Sequence, residues 1–412
     1  MKSISLMGRS IPLAPFCLIL LASSLWPEME LLVPSLPAMK VAFGVTDGEI
    51  QQLLTANFVG FLCGVLLAGA LCDSWGRKKT IIWGMALYLC ASVFAIWAGD
   101  FSLLMGARFI QGLAVTAPIV AGSALLMDLT AGPGQIAWMS FSTAMITICM
   151  AVAPLVGAWI NVCFGFQGNL WAIFLMGLIG VIPMIAVPET LPPEKRKSLR
   201  LRPLILGYSA VIRNTRFMTL SVAMCVLAAA YWIYSGVSAL YMVDFLHMDQ
   251  ALFGNYQAPI VGAFAFFSLC INWFYKRWGL FPCLKVGIFS MCLGTVTLLT
   301  LALIGIEDAR LTTIFMMCFV AGMVPVNSLL IPSAINQLPL DLQGSGQSMI
   351  QGLRLFIASL GTGFLGVVYQ GPFLPVAMIL FTAFACGSLL IWIGRSYIED
   401  SPDNNRVIGG GH

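Results

Sequence analysis

Four charged side chains lie inside long apolar stretches: Glu28 and Glu30 in SSLWPEMELLVPSLP, Arg108 in ARFIQGLAVTAP, and Arg354 in SMIQGLRLFIASL. A charge at membrane depth is costly unless something holds or uses it, so each is a functional candidate. For a carboxylate the use is proton exchange. Burial favours the neutral acid, a nearby guanidinium favours the anion, and the balance lets the group load and release a proton. Arg108 and Arg354 stay protonated. A guanidinium can neutralise an acid or bind an anionic group through two parallel hydrogen bonds. Glu28 and Glu30 point about 200° apart on an ideal helix, so both face one cavity only if Pro27 or Pro34 distorts the backbone.

The elements that must position these groups are membrane spans. The chain has 412 residues, 59% hydrophobic and 9% charged, against about 25% charged in a soluble domain. Apolar stretches of about twenty residues, enough to cross a bilayer core of roughly 30 Å, recur throughout. They predict an all-α membrane protein of twelve transmembrane helices, at approximately 11–37, 50–72, 79–98, 102–127, 136–160, 168–188, 216–242, 252–274, 281–305, 310–331, 345–369 and 373–394. Lys2 and Arg9 precede the first span as in a signal peptide, but no small-residue cleavage site follows, so the helix is read as uncleaved.

The polar stretch ETLPPEKRKSLRLRPLILGYSAVIRNTR divides the spans six and six. The expected organisation is an N-terminal six-helix bundle over 1–188, a linker over 189–215, a C-terminal six-helix bundle over 216–394 and a tail over 395–412. The linker segment LRPLILGYSAVI is amphipathic and suited to the membrane surface. Of the 21 Lys and Arg, only Lys40 and Arg310 fall in loops on one side, and only Arg108 and Arg354 within spans. The others crowd the opposite side with both termini, which the positive-inside rule places in the cytoplasm. GALCDSWGRKKTIIWG after span two and INWFYKRWGLFPCLKVG after span eight share a polar, basic, glycine order, the trace of an internal repeat. Two pseudo-symmetric bundles facing each other are the plan of a rocking transporter with its substrate site at the midplane.

Five short segments carry a family resemblance: GALCDSWGRKK at 69–79, ARFIQG at 107–112, MAVAPLVGAWI at 150–160, VPETL at 187–191, and ELLVPSLP from Glu30. Together they resemble the major facilitator superfamily, in its twelve-span drug:proton antiporter branch, and most closely bacterial exporters of the bicyclomycin-resistance type. The resemblance implies gating roles for Asp73, Gly76 and Arg77 in the first loop, for Gln111 and Gly112 beside Arg108, and for Pro154 and Gly157 in the antiporter motif. VPETL marks the close of the sixth span and is given no chemistry. The chain departs from the family at Ser74, where a basic residue is usual, at Ala153 and Ala158, which replace glycines, and at Arg354, where related exporters usually have an uncharged residue.

Glu30 falls on the family's acidic position at the end of span one, and Glu28 has no counterpart there. Spans one and four line the same cavity in this family, and Glu30 and Arg108 stand at similar distances from their helix ends. The expectation is therefore Glu30 as the proton site with Arg108 in contact, directly or through water. Glu28 is either a second proton site or a neutral acid hydrogen-bonded between helices. Asn57, Tyr231, Trp232, Tyr234, Tyr241 and Asn327 are expected cavity liners, several of which could equally be interfacial belt residues. Arg354 would pair with an acid across the halves or bind an anionic substrate group.

Other classes find little support. His247 and His412 are the only histidines, no Ser-His-acid set or metal cluster is evident, and no nucleotide-binding glycine loop appears. The twelve Cys are scattered singly, without disulfide or zinc spacing. The expected function is proton-coupled antiport exporting small amphipathic molecules, such as drugs or metabolites, by alternating access. Export of a specific anionic metabolite or siderophore, or proton-coupled import, are the alternatives. No cofactor, metal or nucleic acid is expected; the partners are the bilayer, protons and a small-molecule substrate. The resemblance further implies a monomer in the bacterial inner membrane.

Overall fold

The computed structural model describes residues 3–6, 9–130, 133–196, 201–339 and 342–399. Part of the basic linker and the tail beyond residue 399, with Lys2, Arg406 and His412, lie outside the described residues. A short hairpin, β1 (Ser3–Leu6) and β2 (Arg9–Pro12), leads into the first span. That span is discontinuous: α1 (Leu13–Leu25), α2 (Glu28–Leu32), a 3-10 turn (Val33–Ser35) and α3 (Leu36–Phe43). Pro27 precedes α2 and Pro34 lies in the turn, each unable to donate the N–H that a continuous helix requires.

Next come α4 (Asp47–Trp75), α5 (Arg77–Ile96) and α6 (Phe101–Leu129). The 49-residue α7 (Pro133–Val181) is two spans in one, with non-helical Gly165 (φ 66°) inside it. Asn169 Nδ2 donates to the carbonyl of Gly157 at 3.0 Å; in a straight helix those residues would be ~18 Å apart. The chain therefore doubles back at Gly165, so that the eleven long apolar helical stretches among the described residues are consistent with the twelve expected spans. A 3-10 segment, Ile182–Ala186, ends the sixth crossing.

The linker folds in part as α8 (Leu201–Arg213), with Leu206 and Ile212 exposed and Val211 buried. The second half runs through α9 (Thr215–Ala239) with a π-helical extension (Leu240–Phe245), α10 (Gln250–Trp278), α11 (Leu280–Leu303), α12 (Ala309–Ile335), α13 (Gln343–Val368) and α14 (Leu374–Ile393), ending in the short α15 (Arg395–Glu399). Polar N-caps start several of the helices. Thr46 and Glu49 form a capping box on α4, while Asp100 and Asp308 cap α6 and α12, the equivalent fourth and tenth spans. The repeat seen in the loops has a backbone counterpart. Gly76 (φ 101°) turns α4 into α5, and Gly279 (φ 81°) turns α10 into α11, positions that an L side chain rarely adopts.

Glycines also set the helix spacing within the first half. A Cβ on Gly60 or Gly112 would stand 2.0 Å from a carbonyl oxygen of the facing helix, Phe109 or Asn57 respectively, so α4 and α6 pack backbone to backbone. Between the halves, the tight contacts gather toward the end of the bundle that carries Lys40, here the Lys40 end. Lys40 bridges Asp47 at 2.8 Å and also pairs with Asp244 of the other half. Gln250 Nε2 donates to the Pro34 carbonyl at 2.9 Å. A Cβ on Gly48 would lie 1.9 Å from the Gly366 carbonyl, and one on Gly254 2.8 Å from Leu155 Cα. The structure is thus closed at the Lys40 end. At the opposite, Arg77 end, the Arg77 ion pairs with Asp73 (3.1 Å) and Asp128 (3.0 Å) lie inside the N-terminal half.

Candidate functional site

The break at Pro27 puts Glu28 and Glu30 on α2 with opposite aspects. Glu28 turns into its own half. Asn57 Nδ2 of α4 donates to its Oε1 at 3.2 Å, the Tyr88 hydroxyl of α5 donates to its Oε2, and Arg108 Nη2 of α6 stands 3.7 Å away. Arg108 is fully buried; its Nη1 donates to Gln111 Oε1 at 2.8 Å, and Nη2 lies 3.1 Å from Met29 Sδ. Gln111 Nε2 donates in turn to Ser92 Oγ, and Ser92 to the Tyr88 carbonyl, both at 2.8 Å. One buried polar network thus ties α2, α4, α5 and α6 together, with Gly112 giving Asn57 its close approach to α6.

Glu30 turns outward to the other half. The Tyr231 hydroxyl of α9 donates to its Oε1 at 2.7 Å, and Ser235 Oγ to Oε2 at 3.4 Å. The carboxylate is fully buried, with the buried Gln257 side chain of α10 beside it. The expected Glu30–Arg108 contact is therefore corrected: Arg108 faces Glu28, and Glu30 faces α9. Similar distance from helix ends was a poor guide, because α3 carries the first span six residues past its expected end at 37. The azimuth around the helix decides, and the ~200° between neighbours two apart sends the two acids to different halves.

Between the halves lies a cavity of ≈ 50 Å³, room for a few waters. It is lined by Glu28, Asn57, Phe58, Trp232, Gln351 and Arg354 among others. Trp232 meets Phe58 edge-on at 5.8 Å, and Trp26 tilts against Phe61 at 6.2 Å. Of the expected liners, Asn57, Trp232 and Arg354 are on its wall. Tyr231 instead holds Glu30. Tyr234 is buried against Phe373, Tyr241 donates to Glu307 at 2.8 Å, and Asn327 Nδ2 donates to the Met323 carbonyl at 3.3 Å. Across the halves Arg354 finds no acid: among the described residues no ion pair or hydrogen bond reaches it, and its Nε is without a partner.

The other gating candidates, apart from Gln111 and Gly112 in the Arg108 network, fall in two places. Pro154 and Gly157 sit where α7 meets both halves. A Cβ on Gly157 would lie 2.3 Å from the Leu31 carbonyl of α2, and Pro154 O lies 3.1 Å from a Cβ on Gly254 of α10. Pro154 does not break α7, whose one non-helical residue is Gly165. Asp73, Gly76 and Arg77 sit at the Arg77 end, where a residue given no chemistry at the sequence level proves central. Both oxygens of Glu189, in VPETL, cap α5: Oε1 accepts from Arg77 N at 3.0 Å and Oε2 from Lys78 N at 3.1 Å. Thr190 and Leu191 N–H groups also donate to Oε1, at 3.0 Å each. Gly76 makes room for this, since a Cβ there would lie 2.5 Å from Glu189 Oε2. Asp128 joins the cluster through Arg77 Nε and Thr190 Oγ1. An acid so placed favours the positive end of the helix dipole, a signal that a linear reading of VPETL does not show.

A family profile described as Major Facilitator Superfamily matches residues 16–362. The chain is 24% identical over 375 residues to an uncharacterised MFS-type transporter, YdgK, of Bacillus subtilis, covering 88% of this chain and 90% of the relative. It is 22% identical to a bicyclomycin resistance protein homolog of Haemophilus influenzae, covering 87% of this chain and 89% of that one. Among solved structures, a peptide transporter in complex with sulfate superposes with a TM-score of 0.77 at 15% identity, over 97% of both chains.

Proposed function

Because the chain belongs to the Major Facilitator Superfamily, we propose that it is a proton-coupled antiporter that exports small amphipathic molecules by alternating access. The observation that carries this reading is the position of Glu30. Its hydrogen-bond donors, Tyr231 and Ser235, belong to the opposite half. Parting the halves at the Lys40 end would exchange those donors for water, so the carboxylate's hold on a proton changes with conformation. A proton site whose ligands are divided between the rocking bodies is what coupling requires. The Lys40–Asp244 pair and the Gly48–Gly366 approach would open in the same movement.

The exposed face of the bundle fits a bilayer, and the bacterial relatives named for bicyclomycin and chloramphenicol resistance support drug-like cargo and an inner-membrane location. The Lys and Arg distribution supports cytoplasmic termini, with the Lys40 end facing outward. A monomer suffices, because the proton site and cavity are complete within one chain. The gating cluster at the Arg77 end braces the first half, while Pro154 supplies the surface on which α7 moves against α10 and Gly157 the one on which it packs against α2.

The test uses purified protein in liposomes with a pH-sensitive dye inside, challenged with a panel including bicyclomycin and chloramphenicol. Antiport predicts that a cargo gradient drives protons the opposite way. Protons moving with the cargo would make the protein an importer, and cargo flux without protons would make it a uniporter.

A further inference from the structure

The cavity carries one charge that nothing among the described residues balances. Glu28 is matched by Arg108 at 3.7 Å and receives two further donors, Asn57 and Tyr88. Arg354 has no counterpart: among the described residues it meets no acid, and its Nε is buried without a partner. Snorkelling does not relieve it. Arg354 stands eleven residues into α13, which begins at Gln343, or ~16 Å along the axis, beyond the reach of its own side chain. A guanidinium held at membrane depth beside a cavity is costly when alone and favourable when an anion docks on it.

We infer that Arg354 is the anchor for the anionic group of the cargo, so that the substrate class is a monoanionic aromatic amphiphile such as an aryl-alkyl carboxylate. This deepens the export reading above and rests on it. The guanidinium offers a fork of parallel donors suited to a carboxylate, with the Gln351 amide one helical turn away on the same wall. As the halves part and the ≈ 50 Å³ space between them widens, the apolar body of the cargo lies against Trp232 and Phe58 on its wall. A cationic cargo is disfavoured twice: Arg354 repels it, and Glu28 already has two hydrogen-bond donors and the Arg108 guanidinium beside it.

The test measures binding of phenylbutyrate, phenylbutanamide and phenylbutylamine, one body with three charges, to the purified full chain in detergent by microscale thermophoresis. The acid is expected to bind at least about tenfold more tightly than the amide, the scale of a charge-assisted hydrogen bond, and the amine most weakly. Arg354→Gln is expected to remove the preference for the acid. Gln351→Glu, which supplies Arg354 with an internal counter-ion, is expected to remove it too, and decides the matter if Arg354→Gln does not fold. Equal binding of acid and amide, no binding by any of the three, or a preference for the acid that survives in the folded variants would overturn the inference. The two readings fail separately. Acid preference without proton movement removes antiport and leaves the anchor; proton flux driven equally by neutral cargo removes the anchor and leaves antiport.

Discussion

The Tyr231 hydroxyl donates to Glu30 Oε1 at 2.7 Å, joining α9 of the second half to α2 of the first across the bundle. Two residues earlier, Glu28 makes all its contacts inside its own half. The neighbouring acids thus report on different things: Glu28 on the integrity of one body, Glu30 on the relation between two.

Tyr231→Phe keeps the ring and removes the donor. A hydrogen bond to a charged group contributes about 1.5–3 kcal/mol net, so the closed arrangement should lose about tenfold or more in population. Spin labels at Val41 and Asp249, in a background without the native cysteines, would read this as a shift toward longer distances. An unchanged distance distribution would show that the bond does not hold the halves together.

Arg108→Leu leaves the buried Glu28 carboxylate without its counter-charge. Breaking a buried pair by removing one partner costs about 3–5 kcal/mol, so this variant should unfold at markedly lower denaturant. The Glu28→Gln, Arg108→Leu double variant should recover much of the loss. Additive effects in that double-mutant cycle would mean the two side chains are not coupled.

How much of this was legible in the sequence depends on what each inference needed. Span number needed only apolar length, and the fold at Gly165 makes the eleven long apolar stretches consistent with twelve spans. The divergence of Glu28 from Glu30 followed from helical periodicity. The partner of Arg108 did not, because it depends on the break at Pro27 and on how far α3 extends, neither of which is fixed by counting residues from a loop. Glu189 was invisible for another reason: the α5 N-terminus it caps is about 110 residues earlier in the chain, and no local pattern links the two. The family loop motif, by contrast, contained the Gly76 turn that admits Glu189, though its physical use appears only with the acid in place.

Glu189→Ala removes both capping oxygens from α5. Loss of a cap costs about 0.5–2 kcal/mol, and Gly76→Ala adds strain at φ 101° with a Cβ 2.5 Å from the carboxylate. Each single variant should lower the thermal unfolding midpoint. Since the methyl group added by Gly76→Ala competes with the Glu189 carboxylate for one space, that substitution should cost less in a Glu189→Ala background. Independent losses would argue against the contact.

Gly48→Ala places a methyl group 1.9 Å from the Gly366 carbonyl, so the Lys40 end cannot close as it does here. Cargo binding from that side should persist while turnover falls by about a hundredfold or more, as expected when a conformational step and not chemistry is obstructed. Normal turnover would mean that α4 and α13 can close by another route.

The central claim, that Glu30 couples proton movement to the approach of the two halves, is tested most directly by cargo-driven proton flux in liposomes containing wild type, Glu30→Gln or Glu28→Gln. The account predicts that Glu30→Gln abolishes proton flux while still exchanging cargo down its gradient, and that Glu28→Gln retains coupled flux. Coupled flux surviving in Glu30→Gln and lost in Glu28→Gln would contradict it.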